Sequence, residues 1–407
     1  MSDRSGRRRG AALVLATALV LGGCGSTGDG AAPTTTTGVP PESTTAVAPT
    51  SSSTTTAPTT TTTAPPPPRE VTLAFAGDLL PHLPIDRVAA AEGAATGAAY
   101  DFVPMLAPLR PVLDEVDVAI CHLEVPVAPE GSAPSGYPSF GAPGELVDAV
   151  AAVGYDGCST ASNHSLDRGL AGIDATLARM DRWDLGHAGT ARSGEERVAA
   201  ATYEVDGTTV AHLSYAYGFN GYRVPADAPW AANQIDVDRI HLDATAARQA
   251  GAEVVVVSLH WGDEYVSQPS AYQRDVAERL LPWDDIDLVV GHHAHVVQPI
   301  EVVAGTPVVW GLGNQLANQA QVPRSDGLLV EVALREGDDG RFAVSGMEAV
   351  PTWVDIAGGF RVYPASADHL DPAVGDGLRQ ALRASYDRTA SVLATTPTWG
   401  VVLAPRP

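Results

Sequence analysis

The sequence predicts an α/β domain whose mixed sheets pack as a sandwich, and three observations predict it. From Glu70 onward, apolar runs of strand length alternate with segments of helical period. Late in the chain, "TPVVWGLGN", "GLLVEVALRE" and "RFAVSGMEAV" follow one another as strands with no helix between them. A purely parallel sheet would need a crossover at each step, so mixed sheets fit better. Finally, five strands end in polar groups that a core strand has no reason to carry.

The elements follow in order. "VTLAFAG" and "VDVAICHLE" read as strands, and "GELVDAVAAVGYDGCSTASNH" as helix, strand and polar loop. "GLAGIDATLARM" places Leu170, Ile173, Leu177 and Met180 on one helical face. "RIHLDATAARQAGAEVVVVSLHWG" and "AYQRDVAERLLPWDDIDLVVGHH" each read as helix, strand and loop. "DPAVGDGLRQALRASYD" is helical and says nothing of chemistry. The layout is a leader over 1–23, a stalk over 24–68, a domain over 69–365 and a C-terminal helical extension of that domain over 366–407.

The leader rests on Arg4, Arg7, Arg8 and Arg9 before the apolar run "AALVLATALVLGG", which is too short to span a bilayer. "LGGC" resembles a bacterial lipobox, which implies cleavage before Cys24 and lipidation of its sulfur. The following Thr, Pro and Ser run lacks the apolar residues to offset ordering entropy and reads as a disordered stalk. The expected location is therefore outside the cytoplasm, with a lipid anchor as the only membrane contact.

Composition excludes several functions. The 407 residues carry a net charge of −23, which argues against a nucleic-acid surface. All 25 basic residues are arginine, so Schiff-base lysine, Ser–Lys and P-loop chemistry are absent.

The strand ends carry Asp78, with His82 behind it; His122 and Glu124; Asn163 and His164, with Asp167 behind them; His260; and His292, His293 and His295. Ligand sites of open α/β sheets form beyond the carboxyl ends of strands. Mixed carboxylate, imidazole and amide donors suit Mn, Fe or Zn better than calcium. The donors outnumber what one tetrahedral ion uses, so two divalent ions are expected, which clamp the oxygens of an in-line phosphoryl displacement. Read as extended chain, "GHHAH" points His293 and His295 one way as ligands and His292 the other, behind them.

The blocks "YDFVPMLAPLRPVLDEVDVAICHLEVPV", "YPSFGAP", "SNHSLDRG", "SLHWGDEY", "GHHAHVVQPIE" and "GLGNQ" resemble, in the same order, those of the CapA family of poly-γ-glutamate capsule synthesis proteins, within the calcineurin-like metallophosphatases. The resemblance runs from about Val71 to Trp353. It implies a four-layer α/β/β/α sandwich with a dinuclear site between loops. Carried over, Asp78, Glu124, Asn163, His260, His293 and His295 are the metal ligands, and His164 stabilises a phosphoryl transition state or protonates a leaving group. His82, His122, His292 and Glu264 are expected to support the ligands from behind. The usual Asp-x-His opening is here Asp78 to His82, and the usual Gly-Asp of the second strand is Leu123-Glu124. Both departures bear on metal choice and turnover.

Other residues keep two readings. Asp167 orients His164 or binds metal, or else caps the helix beginning near Gly169. Arg168 holds a substrate anion or is simply exposed. Tyr137 and Phe140 line the cleft or pack, and packing is expected. Trp261 and Tyr265 could wall His260. Gly313-Asn314 reads as a turn or as the family's closing block. Cys121 and Cys158 are expected as buried free thiols, although the compartment permits a disulfide. The functional expectation is a cell-surface, metal-dependent phosphoester hydrolase acting on an anionic or polymeric substrate. The competing class is a non-catalytic component of poly-γ-glutamate synthesis, export or anchoring. A purely structural lipoprotein is the third.

Overall fold

The structure is a computed structural model that describes residues 67–396 and 400–407. The leader over 1–23, lipidation at Cys24 and all but the last two residues of the stalk over 24–68 lie outside the described residues. Among the described residues no helix is long and apolar enough to cross a membrane.

The strands are β1 (Glu70–Leu80), β2 (Val118–Leu123), β3 (Gly157–Ser159), β4 (Gly186–Ala188), β5 (Ala201–Val205), β6 (Thr208–Ala216), β7 (Val254–His260) and β8 (Leu288–His292). They continue as β9 (Ile300–Val303), β10 (Thr306–Val309), β11 (Asn314–Ala317), β12 (Asp326–Glu336), β13 (Phe342–Asp355), β14 (Arg361–Pro364) and β15 (Val401–Leu403). One sheet runs β14-β13-β12-β1-β2-β3-β4, with β11 on β1 and β15 on β13; the other runs β5-β6-β7-β8-β10-β9. Both are mixed. β1 is parallel to β2 and antiparallel to β12. β8 is parallel to β7 and β10, while β9 returns antiparallel to β10.

Alternation along the strands makes the layers. In β1, Val71, Leu73 and Phe75 enter a core that also holds Val254, Val256, Leu288 and Val290 of the other sheet. Ala74 and Ala76 face outward into a second core with Leu146, Val150 and Val153 of the helix Glu145–Val153, and Ile173, Leu177 and Met180 of the helix Gly169–Asp181. On the other side, Val255, Val257 and Leu259 pack with Ile240, Ala244 and Ala247 of the helix Val237–Gln249 and with Val276 and Leu280 of the helix Ala271–Leu280. Each fully buried aliphatic side chain contributes about 1.5–3 kcal/mol. The order is helices, sheet, sheet, helices, the four layers expected. Leu170 departs from its predicted face: it stands exposed in the first turn of its helix, before the stripe that Ile173 begins. The closing helix is Asp376–Leu393, and β15 pairs parallel with β13.

Two glycines permit the backbone approaches that build the site. A Cβ at Gly77 would stand 2.2 Å from the Gly313 carbonyl oxygen, which accepts from Asp78 N. A Cβ at Gly291 would stand 1.9 Å from the Trp310 carbonyl oxygen, just before His292.

Asp86, on the inner face of the helix Leu83–Thr96, has two buried oxygens without a hydrogen-bond partner. Burial, partly opposed by Arg87, pushes its carboxyl up to about 7. A folded pKa above the unfolded one means that stability is present at low pH and lost as pH rises through about 7. Asp86→Asn should therefore raise the melting temperature at pH 8, by about 1–3 kcal/mol of stability after discounting for partial exposure, and by progressively less down to pH 4. Thermal melts across that range check the sign.

Candidate metal centre

The carboxyl ends of parallel strands from both sheets meet at one place. β1 delivers Asp78, β2 delivers His122 and then Glu124, β3 leads to Asn163 and His164, β7 ends in His260 and β8 in His292. Asp78, His122, Glu124, Asn163, His164, Asp167, His260, His292, His293 and His295 are all buried. Three sets each bring one ligand atom per residue within 4.8 Å of one another: Asp78, Glu124 and His295; Asp78, His122 and His292; and Glu264, His293 and His295. Asp78 and His295 are each shared by two of these sets.

The extended reading of "GHHAH" is corrected. β8 ends at His292, and both His293 (φ 87°) and His295 (φ 55°) adopt left-handed backbone, uncommon and strained for residues with a Cβ. The turn aims all three imidazoles at the centre: His292 Nδ1 lies 3.3 Å from Asp78 Oδ1 and His295 Nδ1 lies 3.2 Å from Asp78 Oδ2. The His293 backbone N–H donates to Asp78 Oδ2 at 3.2 Å.

Orphaned donors test the fit to a cation. Both Glu124 oxygens, Asp78 Oδ1, His292 Nδ1 and His293 Nδ1 are buried with no hydrogen-bond partner. Buried polar atoms without partners are rare and costly. His295 Nε2 and His260 Nε2 stand 3.7 and 4.0 Å from Glu124 Oε1.

The hydrogen-bond network assigns the tautomers. Ser159 Oγ donates to the Cys121 carbonyl and receives His122 Nδ1–H at 2.7 Å. His122 Nε2 then accepts His260 Nδ1–H at 2.9 Å. That leaves the His260 Nε2 lone pair facing Asn163 Oδ1, another acceptor, at 2.9 Å, while Asn163 Nδ2 donates to Asn220. Two acceptors at that separation fit a cation between them. Likewise Asn314 Nδ2 donates to the His295 and Arg324 carbonyls, so Asn314 Oδ1 accepts His295 Nδ1–H at 3.0 Å and Nε2 is turned toward Glu124.

Charge follows burial. Burial, reinforced by neighbouring imidazoles, pushes His122 and His260 well below the ordinary histidine value. His293 falls to about 3, chiefly by burial. Burial also opposes charge on His295, but Glu124 and Asp78 overcome it and raise it to about 9. Burial drives Glu124 well above the carboxylate range. Asp78 is held low by His292 and His295 against its own burial. His122, His260 and His293 are therefore neutral, and His295 carries the positive charge that the buried Asp78 and Glu124 draw to the centre.

The remaining expectations resolve individually. Asp167 does not cap its helix: its Oδ2 accepts His164 Nδ1–H and the Phe140 N–H, both at 2.7 Å, and Arg168 occupies the cap position. Arg168 is tied to Ser135 Oγ and the Ala133 carbonyl. Tyr137, expected to pack, is 81% exposed, whereas Phe140 is buried edge-on to His82 and His164. His82 belongs to none of the three sets; it contacts the Leu80 carbonyl and the Asn318 N–H. Glu264 is exposed yet belongs to one set. Trp261 is buried and donates to the Trp310 carbonyl, while Tyr265 is exposed under the Arg324 guanidinium, 3.4 Å from its ring centre. Gly313-Asn314 is more than a turn, since Asn314 opens β11 and holds His295. Cys121 and Cys158 are not free thiols; they sit opposite one another on paired strands and form a disulfide. Ser159, Tyr217 and Asn220 were missed. Tyr217 tilts against His293, with ring centres 4.7 Å apart. The one available signal was the polar end of β6, "SYAYGFN".

His122 should act through His260. His122→Phe keeps the ring and removes the hydrogen bond that fixes Nε2, so metal affinity should fall about 10–100-fold with the fold retained. Competition titration with a chelating dye measures it.

The bacterial capsule synthesis protein family PGA_cap matches residues 72–319. The PGA biosynthesis protein CapA of Bacillus subtilis (strain 168) is 30% identical over 204 residues, 49% of this chain and 53% of that protein. The capsule biosynthesis protein CapA of Bacillus anthracis is 28% identical over 195 residues, 47% of each. The chain thus spans about half the length of the curated relatives it matches. Among solved structures, the calcineurin-like phosphoesterase YfkN from Bacillus subtilis aligns with a TM-score of 0.43 at 14% identity, over 80% of this chain and 98% of that one. Those values carry no statement about function.

Proposed function

The chain belongs to the bacterial capsule synthesis protein family PGA_cap, and on that premise we propose that it is a metal-dependent phosphoester hydrolase held outside the cytoplasm by lipid on Cys24. The observation that carries this reading is Glu124, a buried carboxyl group whose two oxygens have no hydrogen-bond partner, with His295 Nε2 and His260 Nε2 at 3.7 and 4.0 Å from its Oε1. Asp78, Glu124, Asn163, His260, His293 and His295 would hold two divalent transition ions (Mn, Fe or Zn), with His122, His292, Asn314 and Ser159 fixing ligand orientation. Bound there, such ions supply Lewis acidity and an activated water.

The rest is the work of this chain's own groups. Asp78 and the His292–His295 turn set the spacing of the donors. Asp167 holds His164 Nδ1–H and leaves Nε2 as the atom that meets a phosphoryl oxygen or delivers a proton to a leaving group. Phe140 closes one side of His164 against water. The substrate is an anionic phosphoester, small or polymeric, tied to the PGA and capsule biosynthesis named for the relatives.

One observation favours a second reading, a non-catalytic binding component of that machinery: His82 stands outside every ligand set, unlike the Asp-x-His histidine of metallophosphatases. Hydrolysis of a phosphodiester with manganese separates the two. Turnover that disappears in Asp78→Asn supports the hydrolase; full metal loading without turnover on any phosphoester supports the binding component.

A further inference from the structure

Away from the histidine centre, Glu115, Glu331 and His369 each bring one ligand atom within 4.8 Å of the others. Glu115 lies just before β2, Glu331 in β12, and His369 in the segment between β14 and the helix Asp376–Leu393. His369 is buried. Its Nδ1 meets Ser366 Oγ at 3.3 Å and its Nε2 meets Glu115 Oε2 at 3.3 Å. Nε2 thus faces a carboxylate oxygen, and either ring nitrogen can carry the proton, so the pair can also take a cation at Nε2.

Glu331 makes the stronger case. Its Oε1 is shielded from solvent and has no hydrogen-bond partner. Glu331 also pairs in register with Glu348 of β13, and like charges directly opposite on antiparallel strands destabilise the pair. Burial first, and then Glu348, push the Glu331 carboxyl up to about 7, so the site resists its own negative charge. Two carboxylates within reach of one imidazole, with Glu348 opposite Glu331, form a local concentration of negative charge that suits a divalent cation. The nitrogen donor favours a transition ion over calcium or magnesium.

We infer that Glu115, Glu331 and His369 bind a zinc-type ion, completed by solvent on the exposed Glu115 side, that pins the segment before the last helix to the sheet. Glu331 and His369 lie beyond residues 72–319 and Glu115 lies within them, so two of the three ligands stand outside the part of the chain that matches the family. Imidazole and carboxylate are both zinc ligands, and three of them leave a fourth position for solvent. Held this way, the short apolar cluster of Ala365, Leu370 and Leu382 gains a tether that its size does not provide.

The test uses the full chain with zinc as the probe. Zinc bound per chain should fall by about one equivalent in both His369→Gln and Glu331→Gln. At zinc about a hundredfold above its Kd, the melting temperature of the unaltered chain should rise by about 4 °C, and much of that rise should be lost in both variants. Crystals of the unaltered chain grown with zinc should show an anomalous peak between the three side chains, a readout that needs no variant to fold. Variants that bind as much zinc as the unaltered chain, or a map with zinc only among the histidines, would overturn the inference.

Discussion

Glu124→Gln should have effects of opposite sign in the metal-free and metal-loaded protein. Without metal, the substitution replaces a buried carboxylate that has no partners with a neutral amide of the same shape. The metal-free variant should be at least as stable as the parent, because burial already drives Glu124 well above the carboxylate range. With metal, the variant loses an anionic ligand shared by the approach of His295 and His260. Turnover should drop on the order of 10²–10³-fold and metal affinity should fall with it. Paired melts with and without manganese, run beside kinetics, read both signs. A variant that is destabilised without metal, yet binds metal normally, would make Glu124 a structural residue.

His164→Ala should lower kcat about 10²–10⁴-fold while leaving metal content unchanged. His164 lies in none of the ligand sets, and its Nδ1 is committed to Asp167. If Nε2 protonates the leaving group, the loss should be larger for an alkyl ester than for a nitrophenyl ester, whose leaving group needs little help. Asp167→Asn should fall between the parent and the alanine variant, because it loosens the hydrogen bond that orients the His164 ring. Equal losses on both esters would assign His164 to phosphoryl stabilisation instead.

Much of this centre was legible because parallel strands put their last residues at one edge, and the polar ends of "AFAGD", "ICHLE" and "VSLH" have no core role. The late strands without helices also foretold mixed sheets, through the antiparallel β12–β13 pair. The "GHHAH" turn was misread because alternation assumes extended backbone, and the left-handed residues that aim His293 and His295 leave no periodic mark. Leu170 fits the helical stripe by spacing alone, but it stands exposed in the first turn, before the buried stripe that Gly172 and Ile173 begin. The Cys121–Cys158 disulfide depends on the β2–β3 register, and 37 residues of separation do not reveal it. Ser159 and Asn314 support ligands from other strands. A hydroxyl or an amide acquires such a role only through a tertiary neighbour.

The most direct test of a two-ion centre is metal stoichiometry in the His369→Gln variant, which removes the surface ion from the count. After reconstitution and dialysis, elemental analysis should find about two equivalents of Mn, Fe or Zn per chain, lost on adding Asp78→Asn. A chain that retains less than about half an equivalent under every metal tried would mean that the buried imidazoles and carboxylates only satisfy one another, and would contradict the account.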